Sequence, residues 1–392
     1  MRILRASMGL WTAALMISGV AIGQAQAADE PVSLNDAITL VPTDYRHQLI
    51  QRLSIAEDNQ QQWLDTIATA KPEYREALAF LLVNMPDRDL MKLTGDYVMK
   101  NVELAYEARS AHPWTASVPK EIFFDDVLPY ANVNESREDW RTDFVKRFAP
   151  LVKDCETAGD AVQLLNREVF KAVNVKYHAT KRLKPNQSPS ESMKIGYASC
   201  SGLSIILVDA CRAVGVPARV VGTPLWYNAS GNHTWVEAWD GQWRFIGAAE
   251  PGAFNKTWFA ENAAKADPSK PENHIFAVSF KRTQTPFVMV WNRGSKEYSA
   301  VDETSFYAVR KMLKVSVLDG AGKPVAATVR VSKASSIIAQ ASNLADDFEL
   351  AADTDYSVEA TLVDGKTVTK KVHLPRDADA TVELRESDTA AN

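Results

Sequence analysis

The chain has 392 residues, of which 46% are hydrophobic and 24% are charged. This length and composition are typical of soluble globular protein and allow two or three domains. The net charge of -5 argues against a general phosphate-binding surface, so we predict no nucleic-acid partner. We interpret the short basic run Lys181-Arg182-Leu183-Lys184 as a solvated loop, which is what isolated charge runs usually are.

The first residues have the pattern of a secretory signal peptide. Arg2 and Arg5 precede an apolar run from Met8 to Ile22, and Ala25-Gln26-Ala27 supplies the small residues of a cleavage site. We therefore predict a signal peptide over residues 1–27 and a periplasmic or secreted mature protein. The apolar run is short for a bilayer span, and no later segment approaches about 20 uninterrupted apolar residues, so we expect no membrane span after cleavage.

Helical periodicity dominates the next part of the chain, and we predict a helical amino-terminal region over residues 28–155. An aromatic-rich connection between the helices indicates a segment that packs over other elements. The predicted helices are Asp44–Glu57, Gln60–Ala70, Pro72–Val83, Trp140–Lys153 and Ala158–Val173.

A cysteine lies where the next predicted helix begins. Cys200 precedes an apolar segment, Ile205 to Val214, which ends at Gly215 and Pro217. Unpaired helix amides and the positive end of the helix dipole favour the thiolate of a cysteine in a first helical turn. Cys200 is therefore the candidate nucleophile.

The chain has two other cysteines, Cys155 and Cys211. Cys200 and Cys211 should not pair, because eleven residues of one helix separate them by about 16 Å. Cys211 is predicted to be either a small buried hydrophobic residue or the partner of Cys155 in a disulfide. Both interpretations leave Cys200 free.

Strand patterns follow the cysteine helix, at Ala218–Val221, His233–Trp239 and Gln242–Ile246. A two-residue turn at Asp240-Gly241 would place His233 opposite Ala248 and Glu237 opposite Arg244. This register predicts a cross-strand ion pair between Glu237 and Arg244.

His233 is the candidate partner of the nucleophile, because a cysteine and an imidazole together can form an activated pair. Glu250 lies two residues beyond the position predicted to face His233, so its carboxylate can reach the imidazole and orient it. A carboxylate at the end of the strand with no catalytic role is the competing interpretation of Glu250. No Cys/His spacing resembles a zinc site and no Gly-rich phosphate loop occurs, so we predict no metal and no cofactor.

The carboxy-terminal part, residues 308–392, is predicted to be a separate β-sandwich. Its apolar runs are short and are broken by turn sequences such as Asp364-Gly365. The predicted strands are Met312–Leu318, Ala326–Val331, Phe348–Ala351, Tyr356–Leu362, Thr367–Leu374 and Ala380–Leu384.

The segment from Gly196 to Pro251 resembles a bacterial transglutaminase-like domain of the papain-like cysteine enzymes, from an exported protein. The resemblance is carried by Cys200 before its helix, by the run from Arg212 to Val221, and by the run from Asn232 to Trp239 that leads to Trp243. It implies an α+β fold with a transglutaminase-like core at residues 156–305, between the helical region and the β-sandwich. It also implies Cys200 as nucleophile, His233 as base and a carboxylate as third member.

One departure from the family pattern concerns this carboxylate. The family has an Asp-Pro pair about four residues after the tryptophan that corresponds to Trp243, whereas here that position is Gly247. Glu250-Pro251 follows three residues later. The acid has therefore either shifted to Glu250 or been lost, in which case the domain is an inactive scaffold that binds protein or cell-envelope partners.

The implied activity is acyl transfer from a carboxamide or peptide bond through a thioester, with water or an amine as acceptor. The expected partner is a protein or peptide substrate, which includes cell-envelope material. Gln187 is either a second donor to the oxyanion or a residue that fastens its loop, and Trp235 either lines the substrate groove or belongs to the core.

Overall fold

The computed structural model describes residues 31–388 apart from 268–269, 293–294, 296, 308–309, 334–335, 344, 353 and 376. The predicted signal peptide, residues 1–27, lies outside the described residues. Within the described part of the chain, the helices are too short or too polar to cross a membrane.

Helices form the amino-terminal part of the described chain, as predicted. Ser33, Thr94, Asp139 and Thr157 each cap a helix by accepting a hydrogen bond from the backbone N–H three residues later. The predicted helices coincide with α2, α3, α4, α9 and α10 of the following set. The helices are α1 Leu34–Thr39, α2 Thr43–Leu53, α3 Gln60–Thr69, α4 Arg75–Asn84, α5 Asp87–Lys92, α6 Gly95–Ser110, α7 Pro113–Ala116, α8 Lys120–Asp126, α9 Trp140–Val152 and α10 Ala158–Ala172.

A helix packed on an antiparallel sheet forms the central part of the chain. The sheet has the strand order β5-β4-β3-β6-β7, and the almost completely buried helix α12 packs against β3 and β4. The sequence patterns predict β3, β4 and β5 but miss β6 and β7. The elements are β1 Lys176–Tyr177, α11 Pro189–Ile195, β2 Tyr197–Ala198, α12 Cys200–Ala213, β3 Ala218–Thr223, β4 His233–Trp239, β5 Trp243–Ile246, α13 Ala260–Ala263, β6 Phe276–Ser279, β7 Ser299–Asp302 and α14 Thr304–Tyr307.

The β4–β5 hairpin has a three-residue loop between Trp239 and Trp243, which pair with each other. Gly241 adopts the left-handed conformation, with φ of +74°, that commonly closes a three-residue hairpin loop. The predicted two-residue turn is therefore wrong, and the predicted register is wrong by one residue. Arg244 does not lie opposite Glu237, so the predicted ion pair between them is not formed.

Two buried arginines join the helical region to α12. Arg212 Nε donates hydrogen bonds to the carbonyls of Asp126 and Ala218, both at 3.0 Å. Arg141 donates to the carbonyl of Arg212 at 2.8 Å and to that of Val127 at 2.7 Å. Burial, together with the nearby Arg212, lowers the pKa of Arg141 to about 9. The α12 helix is therefore fixed at its carboxyl end by side chains of the amino-terminal helices.

The carboxy-terminal strands form the predicted β-sandwich. One sheet has the order β10-β9-β12-β13 and the other β11-β8-β14. Alternate apolar residues of both sheets share one buried core, as expected for two sheets packed face to face. The strands are β8 Arg310–Leu318, β9 Ala327–Lys333, β10 Ser336–Asn343, β11 Ala345–Ala351, β12 Thr354–Leu362, β13 Thr367–Leu374 and β14 Ala380–Arg385.

Strand β10 is absent from the predicted set. Its sequence is rich in serine and alanine, so strand propensity is weak there. The strand pairs with β9 and also contacts the β4–β5 hairpin, where Gln340 N–H donates to the carbonyl of Gly241 at 2.5 Å and Ala339 forms a bridge with Gln242. Tertiary contacts therefore define β10.

Candidate active site

Cys200 is the first residue of α12 and is half-buried. Ser199 caps the helix, since its Oγ accepts a hydrogen bond from Gly202 N–H at 3.4 Å and donates one to the carbonyl of Pro185 at 2.9 Å. This cap explains why the helix begins at the cysteine. The thiol therefore lies at the positive end of the helix, as the sequence predicts.

All three cysteines are free. Burial raises the pKa of the Cys211 thiol to about 12, and Cys155, whose pKa is also raised by burial, is half-buried elsewhere. The predicted alternative of a Cys155–Cys211 disulfide is therefore not observed, and Cys211 is a buried apolar residue. Cys200 is left as the thiol at a helix amino terminus.

His233 is the first residue of β4 and pairs with Thr223 of β3. The residues that follow Cys200 and His233 are linked, because the buried hydroxyls of Ser201 and Thr234 form a hydrogen bond of 3.1 Å. This bond holds the beginning of α12 against the beginning of β4. The fold therefore brings together the two segments that carry the candidate nucleophile and base.

Four aromatic rings surround the His233 imidazole. The distances between ring centroids are 4.8 Å to Trp258, 5.0 Å to Phe259, 5.8 Å to Trp235 and 6.2 Å to Trp226. This apolar enclosure removes water from the imidazole, and burial lowers the pKa of His233 to about 4. The imidazole is therefore neutral at pH 7 and available as a proton acceptor.

Glu250 does not form a hydrogen bond with His233. Nε2 of His233 is buried and has no hydrogen-bond partner among the described residues. The Glu250 carboxylate instead accepts a hydrogen bond of 3.0 Å from Trp258 Nε1, and the indole of Trp258 covers the imidazole. Burial raises the pKa of Glu250 while this hydrogen bond lowers it, and the net change is upward. Trp258 therefore lies between Glu250 and His233, which the sequence predicts to be direct partners.

Gly247 leaves the space that the Glu250 carboxylate fills. A Cβ atom added at Gly247 would lie 2.7 Å from Glu250 Cδ and still closer to Oε2. The side chain of the aspartate that the family pattern places at this position would begin in the same space. The turn is held by Asn166 of α10, which donates to the carbonyl of Gly247 and accepts from the N–H of Ala249, both at 2.9 Å.

Glu237 belongs to a buried network behind the imidazole. It forms an ion pair with Arg219 at 2.6 Å and accepts a hydrogen bond from the Tyr307 hydroxyl at 2.6 Å. Tyr307 in turn accepts one from Trp235 Nε1 at 2.7 Å, and Arg219 also pairs with Glu303 at 3.1 Å. Burial would lower the pKa of Arg219, but the two carboxylates raise it above its usual value. The network fixes the indole of Trp235, which stacks on His233.

Gln187 is completely buried and fastens its loop. Its amide donates to the carbonyl of Tyr197 at 3.3 Å and to Ser192 Oγ at 3.4 Å, and its side-chain oxygen accepts from Leu183 N–H at 3.0 Å. These bonds support the loop-fastening interpretation. Trp235 is also completely buried, so it backs the imidazole from within the core.

Sequence reasoning missed several residues of this site. Phe259, Tyr307 and Asn166 lie far along the chain from the Cys/His motif and contact it only through the fold. The sequence shows several tryptophans around the Cys/His motif. In the structure Trp226, Trp235 and Trp258 lie within about 6 Å of His233, whereas the rings of Trp239 and Trp243 contact each other. Spacing alone does not separate these two sets.

The described residues contain no group of three or more His, Cys, Asp or Glu side chains arranged to hold a metal ion. The arrangement instead supplies a thiol at a helix amino terminus and an enclosed neutral imidazole. These two groups can carry out nucleophilic chemistry at a carbonyl carbon.

Residues 146–248 match the family model of the transglutaminase-like superfamily. They form a transglutaminase-like domain. The match includes Cys200, His233 and Gly247, and it ends two residues before Glu250. Glu250, the third member predicted from the sequence, thus lies just outside the matched segment.

Solved structures and curated proteins add little to this assignment. One solved chain, described as a "Putative Cysteine Protease" from Cytophaga hutchinsonii, is similar to this chain with 17% identity and a TM-score of 0.28. The similarity covers 36% of this chain and 46% of that one, so less than half of that chain is spanned. No curated protein matches.

Proposed function

We propose that the protein is a cysteine-dependent acyl-transfer enzyme with Cys200 as nucleophile and His233 as base. The observation that carries the proposal is the Ser201–Thr234 hydrogen bond, which joins the start of α12, where the free thiol of Cys200 lies, to the start of β4, where the enclosed imidazole of His233 lies. The substrate is a protein or peptide with a carboxamide or peptide bond.

The chemistry follows from these two groups. The His233 imidazole accepts the thiol proton as the Cys200 sulfur attacks the carbonyl carbon, and a tetrahedral oxyanion forms. The backbone N–H of Cys200 donates to this oxyanion, and the Gln187 amide is the second donor only if it gives up one of its loop contacts. The imidazolium returns the proton to the leaving nitrogen, which leaves a thioester. Water or an amine then attacks the thioester and restores the thiol.

Glu250 acts through Trp258 in this proposal. The carboxylate holds the indole by the Nε1 hydrogen bond, and the indole covers the imidazole, so the acid positions the base without touching it. The Cys200–His233 pair is then a dyad supported by a Glu250–Trp258 pair. This arrangement accounts for an acid that has moved from position 247 to position 250.

An aryl ester of a short acylated peptide tests the proposed function. We expect repeated turnover, with a transient acyl group on Cys200 detected by intact-mass and peptide-mapping mass spectrometry, and loss of turnover in Cys200→Ala. Cys211→Ala is the matched control and should retain turnover, because Cys211 is buried and its pKa is raised. A wild-type rate no higher than the uncatalysed hydrolysis of the ester would support the alternative of an inactive scaffold, and equal turnover in Cys200→Ala and wild type would exclude Cys200 as the nucleophile.

The choice between hydrolysis and cross-linking is made by the acceptor. We propose hydrolysis, because water is always present and the described site offers no evident subsite for a lysine side chain. Adding methylamine during ester turnover and measuring the ratio of methylamide to acid tests this choice. A product that is mainly methylamide at millimolar methylamine would instead indicate a cross-linking enzyme.

We further propose that the protein works outside the cytoplasm, because residues 1–27 have the composition of a signal peptide. Expression with these residues, followed by cell fractionation and amino-terminal sequencing, tests the proposal. The expected mature chain begins near Ala28. A chain that stays in the cytoplasm with Met1 intact would contradict it.

A further inference from the structure

The segment that leads to the nucleophile is basic in a chain that is acidic. Residues 169–190 contain no aspartate or glutamate, although the whole chain has a net charge of -5. The cations of this segment are Lys171, Lys176, Lys181, Arg182 and Lys184. Positive charge is therefore concentrated in residues 169–190.

This segment is fastened directly to the residues that precede Cys200. Strand β1 pairs with β2, the His178 N–H donates to the carbonyl of Ala198 at 2.8 Å, and Ser199 Oγ donates to the carbonyl of Pro185 at 2.9 Å. The loop between these contacts is thus attached at both ends next to the cysteine. The loop therefore lies against residues 197–199, which immediately precede the nucleophile.

Three of the five cations have no anionic partner among the described residues. Lys171 pairs with Glu168 and Lys184 pairs with Glu191. Lys176 and Lys181 are exposed and Arg182 is half-exposed, and their side chains form none of the ion pairs found in the described part of the chain. We call Lys176, Lys181 and Arg182 the basic rim.

The loop that carries the basic rim has a defined shape. Nδ1 of His178 accepts hydrogen bonds from the N–H groups of Thr180 and Lys181, and Lys181 Nζ lies 5.4 Å from the centre of the Tyr197 ring. Leu183, beside Arg182, is 63% exposed. The loop therefore presents positive charge together with an apolar side chain, which suits a peptide more than a small inorganic anion.

We propose that the basic rim binds the carboxylates of an acidic peptide and so directs an acidic acyl donor to Cys200. The proposal rests on the proposed function for the role of Cys200, and it adds the class of substrate. The cations attract the peptide over a distance of about a Debye length, and the fixed loop holds it beside the thiol.

Peptide binding to Cys200→Ala tests the rim without any need for catalysis. Fluorescein-labelled hexaglutamate should bind, whereas labelled hexaglutamine should bind at least tenfold more weakly at low salt. The double variant Lys181→Glu with Arg182→Glu should lose about tenfold in affinity for hexaglutamate. Lys171→Glu is the matched control, since Lys171 is already paired, and it should change the affinity less than twofold.

Several results would overturn the proposal. One is equal affinity for hexaglutamate and hexaglutamine, and another is the same loss of affinity in Lys171→Glu as in the double variant. A third is binding of a DNA hexamer or of anionic lipid vesicles that is as tight as, or tighter than, the binding of hexaglutamate. The last two ligands carry negative charge without a peptide, so they would indicate a general anion surface.

Alkylation of Cys200 with two reagents of similar shape gives an independent readout. The ratio of the iodoacetate rate to the iodoacetamide rate should fall about tenfold in the double variant relative to wild type at low salt, and the difference should shrink at high salt. An unchanged ratio would contradict the proposal that the basic rim attracts anionic groups to Cys200. If neither reagent modifies Cys200 but hexaglutamate still binds, the result contradicts the proposed function and still supports peptide binding by the basic rim.

Discussion

Replacing Trp258 by alanine tests whether the aromatic enclosure sets the protonation state of His233. The Trp258 indole is the nearest of the four rings, at 4.8 Å, and burial is the cause that lowers the pKa of His233 to about 4. Trp258 is 61% exposed, whereas Trp226, Trp235 and Phe259 are buried, so its removal admits water without opening the core. We expect the variant to fold and the pKa of His233 to rise.

The size of the rise follows from the pKa itself. The difference between 6.5, an ordinary value, and about 4 corresponds to about 3 kcal/mol, at roughly 1.4 kcal/mol for each pH unit. Trp258 provides one of the four enclosing rings and is the one that faces water. Its loss should therefore remove roughly a third of this free-energy difference, which brings the pKa of His233 to about 5 in the variant.

The assay is an NMR titration of the histidine ring protons, with the His233 signal assigned by its absence in His233→Gln. Trp258→Phe is the matched control, because it keeps a ring over the imidazole and removes the hydrogen bond to Glu250. We expect Trp258→Phe to titrate close to wild type. A pKa of His233 that stays at about 4 in Trp258→Ala would show that this indole does not keep water from the imidazole, and an equal rise in Trp258→Phe would show that the hydrogen bond to Glu250 matters instead of the ring.

The same variant should change the pH dependence of stability. The pKa of His233 is lower in the folded chain than in the unfolded chain, so only the unfolded chain takes up this proton as the pH falls from 6.5 towards about 4. The contribution of the neutral imidazole to stability is thus complete above pH 6.5 and is lost as the pH falls through this interval. Urea unfolding at pH 7.5 and 4.5 should show about 0.6 kcal/mol less loss in Trp258→Ala than in wild type. Equal losses would contradict the assignment.

Three further substitutions test the elements around the site. Glu250→Ala should lower ester turnover roughly tenfold. Adding Gly247→Asp to this variant should restore part of the turnover, because residue 247 borders the space of the Glu250 carboxylate. No recovery of turnover would mean that the two positions are not equivalent. Glu237→Gln should lower the free energy of unfolding by about 3 kcal/mol in urea, because it breaks a buried ion pair, and a loss below about 1 kcal/mol would contradict this. Asn166→Ala should cost about 2 kcal/mol in the same assay through two lost buried hydrogen bonds, and wild-type stability would show that they are not needed.

Much of the fold could be predicted from local patterns. The helices of the amino-terminal region repeat apolar residues at helical spacing and have capping side chains, and the start of α12 at Cys200 follows from the Ser199 cap. The elements that were missed depend on tertiary contacts. Strands β6 and β7 complete a sheet whose other strands lie far away in sequence, and β10 is defined by its contacts with β9 and the hairpin loop.

The candidate site divides in the same way. Cys200 and His233 could be singled out because each lies at the start of a regular element with a clear sequence signal. The partners of Glu237 and Glu250 could not, because the hairpin register shifts by one residue at the three-residue loop, and that shift changes every cross-strand neighbour. Trp258 donates the hydrogen bond that Glu250 accepts. It lies beyond the end of β5, where no periodic sequence pattern predicts the path of the chain.

Whether His233 activates Cys200 can be measured by the rate of iodoacetamide alkylation of each cysteine at pH 7. Cys155 serves as the internal reference, because it is also half-buried, lies between α9 and α10 rather than at a helix amino terminus, and has a pKa that burial raises. We expect Cys200 to react at least tenfold faster than Cys155, and we expect His233→Ala to remove this advantage while the rate at Cys155 stays the same. Equal rates for the two thiols, unchanged by the substitution, would contradict this expectation.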